Sequence, residues 1–229
     1  MSKLIMGRPR TEAHPVQGPV SRRLSNIRAI WNNEHDNDHG IEKVLRLFLA
    51  SSQFLFPGLY WKELFSRRLY TYQDIAVDLY VIAKILIPAV ILVNGWGPKP
   101  GVVWVTAYLI AETMLYIPTI IFASDVIGRP RSYRRSMLLV FLNYLEIILG
   151  FAVIYSSGNM LNQPFHHWFD PIYYSFMTAS TIGYGDYYPI TPLAKFLVSV
   201  QSILFILFLY IFLNFFTSRV KGKGYFEDQ

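Results

Sequence analysis

The sequence predicts an all-α membrane protein: four transmembrane helices per subunit, with a re-entrant helix and loop between the third and the fourth. Of its 229 residues, 53% are apolar and only 16% are charged, against about 25% charged in a soluble domain. Four apolar stretches, near 74–94, 102–124, 136–157 and 193–217, separate the charged clusters, and each approaches the ~20 residues that a ~30 Å hydrocarbon layer requires. Residues 158–192 are too long for a turn and too short for a domain, and they contain an apolar helix too short to span.

Residues 1–40 are rich in Pro, Gly, Arg, Asn and Asp and read as a cytoplasmic tail with little core of its own. No apolar signal-peptide core is visible there. From Ile41 the apolar positions Val44, Leu45 and Phe48 follow at helical spacing between Glu42, Lys43 and Arg46, with Asp38 as the expected N-cap. Residues 41–73 are expected to form amphipathic helix on the membrane surface; a soluble helical hairpin is the alternative. Residues 74–124 form an accessory transmembrane hairpin, whose Pro88 and Pro118 should kink its helices without ending them. The linker 125–135 carries Arg129, Arg131, Arg134 and Arg135, and the tail 219–229 carries Arg219, Lys221 and Lys223. The opposite side offers Lys99 and Lys195, so the positive-inside rule puts both termini in the cytoplasm of a multi-pass plasma-membrane protein. The net charge of +6 fits that face of a bilayer, and nucleic acid is not expected as a partner of so apolar a chain. Cysteine is absent, which excludes disulfides and thiolate metal sites.

Within 158–192, Asp170-Pro171 reads as an N-cap followed by proline at the first helical position. Ile172 to Ser180 then make a helix of about 14 Å, which must enter and return. Non-helical backbone at that depth survives only beside a water-filled path or buried in protein. The returning residues run Thr178-Ala179-Ser180-Thr181-Ile182-Gly183-Tyr184-Gly185-Asp186-Tyr187-Tyr188-Pro189. This segment resembles the potassium channel signature T-x-x-T-(V/I)-G-Y-G-D at every fixed position, and the resemblance covers about 130–217.

The resemblance implies a pore domain over 136–218, composed of outer helix, pore helix, filter and inner helix. It also implies a passive conductor in which backbone carbonyls replace the water shell of K+. Thr181, Ile182, Gly183 and Tyr184 would supply the carbonyls that bind K+, with Gly183 and Gly185 allowing the left-handed dihedrals that aim them. Tyr184 would hold the ring's diameter, and Asp186 would tie the filter to the pore helix through Tyr173. The pore-helix C-terminus, near Thr178, would direct its partial negative charge at the cavity. Only four copies close such a ring, so a homotetramer in lipid is expected. No cofactor is expected beyond potassium ions. Two positions depart from the family: Met177 stands where a pore-helix glutamate is common, and Phe205 where a hinge glycine is common. The expected cytoplasmic gate is apolar and involves Phe205, Phe208, Phe212 and Phe216.

The first three spans contain no arginine, which argues against an arginine-repeat voltage sensor. They do contain Asp78, Lys84, Glu112 and Glu146. Lys84 and Glu112 each lie fourteen residues from the hairpin midpoint near Pro98, so Lys84, Glu112 and Glu146 are expected to meet as an intramembrane ion-pair cluster. His35 and His39 among carboxylates suit a divalent metal, although a solvated loop is the commoner use of such a run. His166 and His167 are positioned to titrate, although a bland turn is the commoner use. Glu63 and its basic neighbours form no catalytic set, and an enzyme is not expected. A non-selective cation channel would break the signature at Tyr184, and a channel-like uptake transporter would need four filter loops in one chain. About ten residues follow the last span, so no large ligand-binding domain is expected.

Overall fold

The structure, a computed structural model, describes residues 18–34, 39–68, 73–122 and 133–220. Helix α1 (Pro19–Asn32) begins on a proline, which suits a first turn whose N–H groups lack intrahelical partners. Glu63 Oε2 accepts from the Val20 N–H at 3.1 Å and supplies one such partner. The helix ends at Asn33, which is left-handed (φ 55°), while Asn33 and Glu34 donate back to Ile30 O and Ala29 O. That pattern closes a helix without glycine. Within this segment, expected to have little core of its own, Ala29 and Ile30 are buried.

Helix α2 (Gly40–Ser52) follows His39, which makes no side-chain cap; Asp38, the expected N-cap, lies outside the described residues. A 3-10 turn (Gln53–Leu55) and then α3 (Pro57–Arg68) follow. Residues 40–68 thus hold two helices broken at Phe56–Pro57, and both pack on α1. Lys43 Nζ reaches the Trp31 carbonyl at 2.8 Å, where a cation complements the end of a helix dipole.

Four helices are long and apolar enough to cross a membrane: α4 (Gln73–Val93), α5 (Pro100–Phe122), α6 (Tyr133–Tyr155) and α8 (Pro192–Val220). Pro88 and Pro118 sit inside α4 and α5 as expected. Along α4, Leu79, Ile82, Leu86, Val90 and Val93 are exposed, an apolar stripe that water would not tolerate but lipid does. Arg129, Arg131, Lys221 and Lys223 lie outside the described residues.

The chain divides into two compact units, residues 1–84 with 111–129, and residues 85–110 with 130–229. In the second unit, Ile91, Leu92, Ala152 and Val153 form a buried cluster, against which Val102 and Ile172 pack. Helix α7 (Asp170–Ala179) lies against both α6 and α8. Gly150 lies beside Ile110, whose side chain a Cβ there would strike.

Candidate functional site

Helix α7 ends in a Schellman arrangement. The Ile182 N–H donates to Met177 O (3.1 Å) and the Thr181 N–H to Thr178 O (3.1 Å), with Thr181 left-handed at φ 59°. Glycine is the usual occupant of that position; a non-glycine residue there costs roughly 1–2 kcal/mol. Gly183 (φ 55°) and Gly185 (φ 84°) are left-handed too, while Ile182 and Tyr184 are not. Left-handed and ordinary residues therefore alternate from 181 to 185. Alternation of this kind turns successive carbonyls to one side of the strand, as a backbone cation site needs. All five residues are exposed in the single chain. Tyr184 is 72% exposed.

Beyond residues 181–185 the chain is strapped to the loop after α6. Leu161 and Pro189 form an antiparallel bridge, with Asn162 N–H donating to Tyr188 O (3.1 Å) and Ile190 N–H to Met160 O (3.0 Å). Asn162 Nδ2 and Gln163 Nε2 both donate to Asp186 O, at 3.0 and 3.1 Å. Partial desolvation, and then a side-chain hydrogen bond to Asp186, raise the Tyr173 hydroxyl above its ordinary pKa. That hydrogen bond links α7 to the segment after Gly185. Met177 lies beside this segment half-buried, and Thr178 hydrogen-bonds through its side chain to Tyr174.

Asp170 corrects an expectation. It lies within the first turn of α7, preceded by Phe169, and its Oδ2 accepts from the His166 and His167 N–H groups at 2.8 and 2.9 Å. The carboxylate therefore organises the loop before the helix and not the helix's own N–H groups. The Tyr187 hydroxyl also donates to it at 3.3 Å. Burial pushes this carboxyl's pKa up, but the two backbone donors and Tyr187 outweigh it and hold the group below the usual carboxylate value.

A buried polar network that sequence reasoning missed joins α6, α7 and α8. Tyr155 OH donates to Gln201 Oε1 (2.8 Å), and Gln201 Nε2 donates to Ser175 O (3.0 Å) and Ser175 Oγ (2.9 Å). Ser175 Oγ in turn donates to Ile148 O at 2.7 Å. The available signal was Gln201 itself, an amide in an apolar span that must find partners. Tyr144 OH donates to Ala179 O at 3.2 Å, at the end of α7.

Among the expected gate residues, Phe208 is 1% exposed and stacks on Tyr144 at a centroid distance of 5.1 Å. It packs against α6 through that ring contact. Phe205 also approaches Tyr144, at 6.4 Å, Phe212 is half-buried, and the Phe216 side chain lies outside those described. The exposed side of α8 presents Ile203, Ile206, Tyr210 and Leu213 instead. Helix α8 contains no glycine from end to end.

In the other unit, Lys84 Nζ lies 3.3 Å from Glu112 Oε2 and donates to Thr113 Oγ1 at 2.7 Å. The Tyr80 hydroxyl donates to Glu112 Oε2 at 2.5 Å, and the Gly58 N–H donates to Oε1 at 3.1 Å. Lys84 and Glu112 thus form a pair, as the depth count predicted. Glu146 belongs to the second unit, where it is buried (2% exposed). Among the described residues, no three His, Asp or Glu gather to hold a metal; His35 lies outside them. His166 and His167 are exposed.

Neither a curated protein nor a solved structure matches this chain. Residues 141–221, less than half of the chain, match the family model described as Ion channel. That stretch holds most of α6, α7, the 181–186 segment and α8, the same elements on which the resemblance to the potassium channel superfamily was founded. Over residues 141–221 the chain is similar to that family of ion channels.

Proposed function

We propose that the chain is one subunit of a homotetrameric, potassium-selective channel of the plasma membrane, with both termini cytoplasmic. The observation that carries this reading is the alternation of left-handed residues at Thr181, Gly183 and Gly185 within the unbroken run Thr181-Ile182-Gly183-Tyr184-Gly185-Asp186. Such a backbone offers consecutive carbonyls to one ion file, and four copies complete each coordination ring. Exposure of Ile182 and Tyr184 in the single chain supports assembly, since an apolar and an aromatic side chain next to the file need neighbours.

K+ crosses passively, exchanging water for carbonyl oxygen from Thr181 to Tyr184, with the Thr181 hydroxyl at the inner end. Asp186, held by Asn162 and Gln163 through its carbonyl and by Tyr173 through its side chain, anchors the outer end. The apolar face Ile206, Tyr210 and Leu213 of α8 supplies the gate, and dewetting between four such faces closes it. The test is the bi-ionic reversal potential of purified protein in planar bilayers. Replacing K+ by Na+ on one side should shift it by tens of millivolts; no shift would reduce the reading to a non-selective pore.

A further inference from the structure

We infer that residues 40–68 form a second re-entrant element, a helical hairpin whose tip enters the leaflet bounded by Ile75 and Thr119 and is anchored there by Glu112. The inference rests on α4 and α5 crossing a membrane, and not on which ion the pore conducts.

Depth is set by contacts within one compact unit. The apolar part of α5 ends at Thr119, seven residues beyond Glu112, which puts Glu112 about 10 Å inside that boundary. The apolar part of α4 starts at Ile75, five residues before Tyr80, which puts Tyr80 about 8 Å inside. Gly58 N–H, at the start of α3, donates to Glu112 Oε1 at 3.1 Å, so the start of α3 shares that depth. Three residues later, Trp61 Nε1 donates to Ala76 O at 3.0 Å, beside the boundary itself. Helix α3 thus runs outwards from the leaflet and leaves it near Trp61, an indole at the level that suits its amphipathic ring.

The sequence agrees without reference to those contacts. Residues 47–61 contain no charge, and Arg46 and Lys62 bracket them. Such a run falls short of the ~20 residues needed to span, and its length suits a re-entrant or interfacial segment as well as a buried core helix. The tip also meets the demand that a bilayer makes of non-helical backbone. Phe54 O accepts from the Tyr60 hydroxyl at 2.8 Å, Pro57 has no N–H to satisfy, and Gly58 N–H is taken by Glu112. Phe48 and Leu55 are 58% and 69% exposed, and at this depth acyl chains cover them. A Cβ at Gly58 would displace the Glu112 carboxylate, since it would collide with Oε1.

Because the chain has no cysteine, single-cysteine variants need no background changes. Leu55→Cys, Leu79→Cys and Ser25→Cys are spin-labelled in phosphatidylcholine–phosphatidylglycerol nanodiscs, and collision rates with oxygen and with a water-soluble nickel chelate are compared. The label at 55 should match that at 79, with oxygen favoured several-fold, and the label at 25 should show the reverse. A label at 55 as open to nickel as the one at 25 overturns the insertion. Adding Gly58→Ala should raise nickel access at 55 at least threefold; an unchanged ratio overturns the anchoring by Glu112. If Gly58→Ala loses its helical circular dichroism, Glu112→Ala provides the same comparison. These ratios do not depend on selectivity, so failure of the bi-ionic test would leave them readable.

Discussion

Around Glu112, one carboxylate receives the Gly58 N–H, the Tyr80 hydroxyl and Lys84, whereas from Thr181 to Gly185 the backbone is exposed. Among the described residues, no hydrogen bond reaches the carbonyls of 181–185. Both regions put polar groups into an apolar chain, and they treat them in opposite ways. The first satisfies its charges internally, because a lone ion in a bilayer costs roughly 2.5–3.5 kcal/mol on insertion scales. The second leaves its acceptors open, as the proposed ion site requires if they are to replace an ion's hydration. A polar group satisfied within its own chain serves structure; a row of acceptors left open serves a mobile ligand.

The largest effect should come from the open row. Gly183→Ala or Gly185→Ala should abolish selective K+ flux from proteoliposomes. Nothing lies within 4 Å of a Cβ at either position, so the penalty is conformational, about 1–2 kcal/mol per subunit and repeated four times in a tetramer. Selective flux from either variant would break the contrast, since the alternating dihedrals would then be dispensable.

A smaller effect should come from the closed site. Lys84→Met leaves Glu112 without its counter-charge, and breaking a buried pair costs about 3–5 kcal/mol. Thermal unfolding in detergent should fall accordingly, and Glu112→Gln in the same chain should restore part of the loss, because the remaining groups are then neutral. A double variant no more stable than Lys84→Met would show that the pair does not act as a unit.

The smallest effect concerns Asp170, whose pKa is depressed in the folded chain. A depressed carboxylate contributes stability above its unfolded pKa and loses it as pH falls through the folded value. The window therefore lies below about pH 4. Amide exchange at His166 and His167 should quicken below that pH in the parent chain. In Asp170→Asn it should be fast throughout and lose the acid-side dependence; a persistent acid step there would assign the effect to another group.

Much of this was legible from residues. The four spans, the short helix before the filter and the glycine positions follow from apolar length, from Pro171 and from the signature. Each depends on interactions close in sequence. The pairing of Lys84 with Glu112 was also legible, because an antiparallel hairpin converts equal counts from its turn into equal depth. Glu112 holding Gly58, by contrast, joins residues 54 apart, and no periodicity relates them. Gln201 similarly serves Ser175 and Tyr155 across three helices.

The sequence by itself determined which segments are long and apolar enough to cross a membrane and that Gly183 and Gly185 are free to turn left-handed, since hydrophobic length and the absence of a Cβ are local properties. Only the tertiary structure decided which face of α8 is free and which is covered. Phe208 and Ile206 are equally apolar, yet Phe208 is buried against Tyr144 and Ile206 is exposed. In a helix apolar all round, composition carries no direction, and the neighbouring helix supplies it.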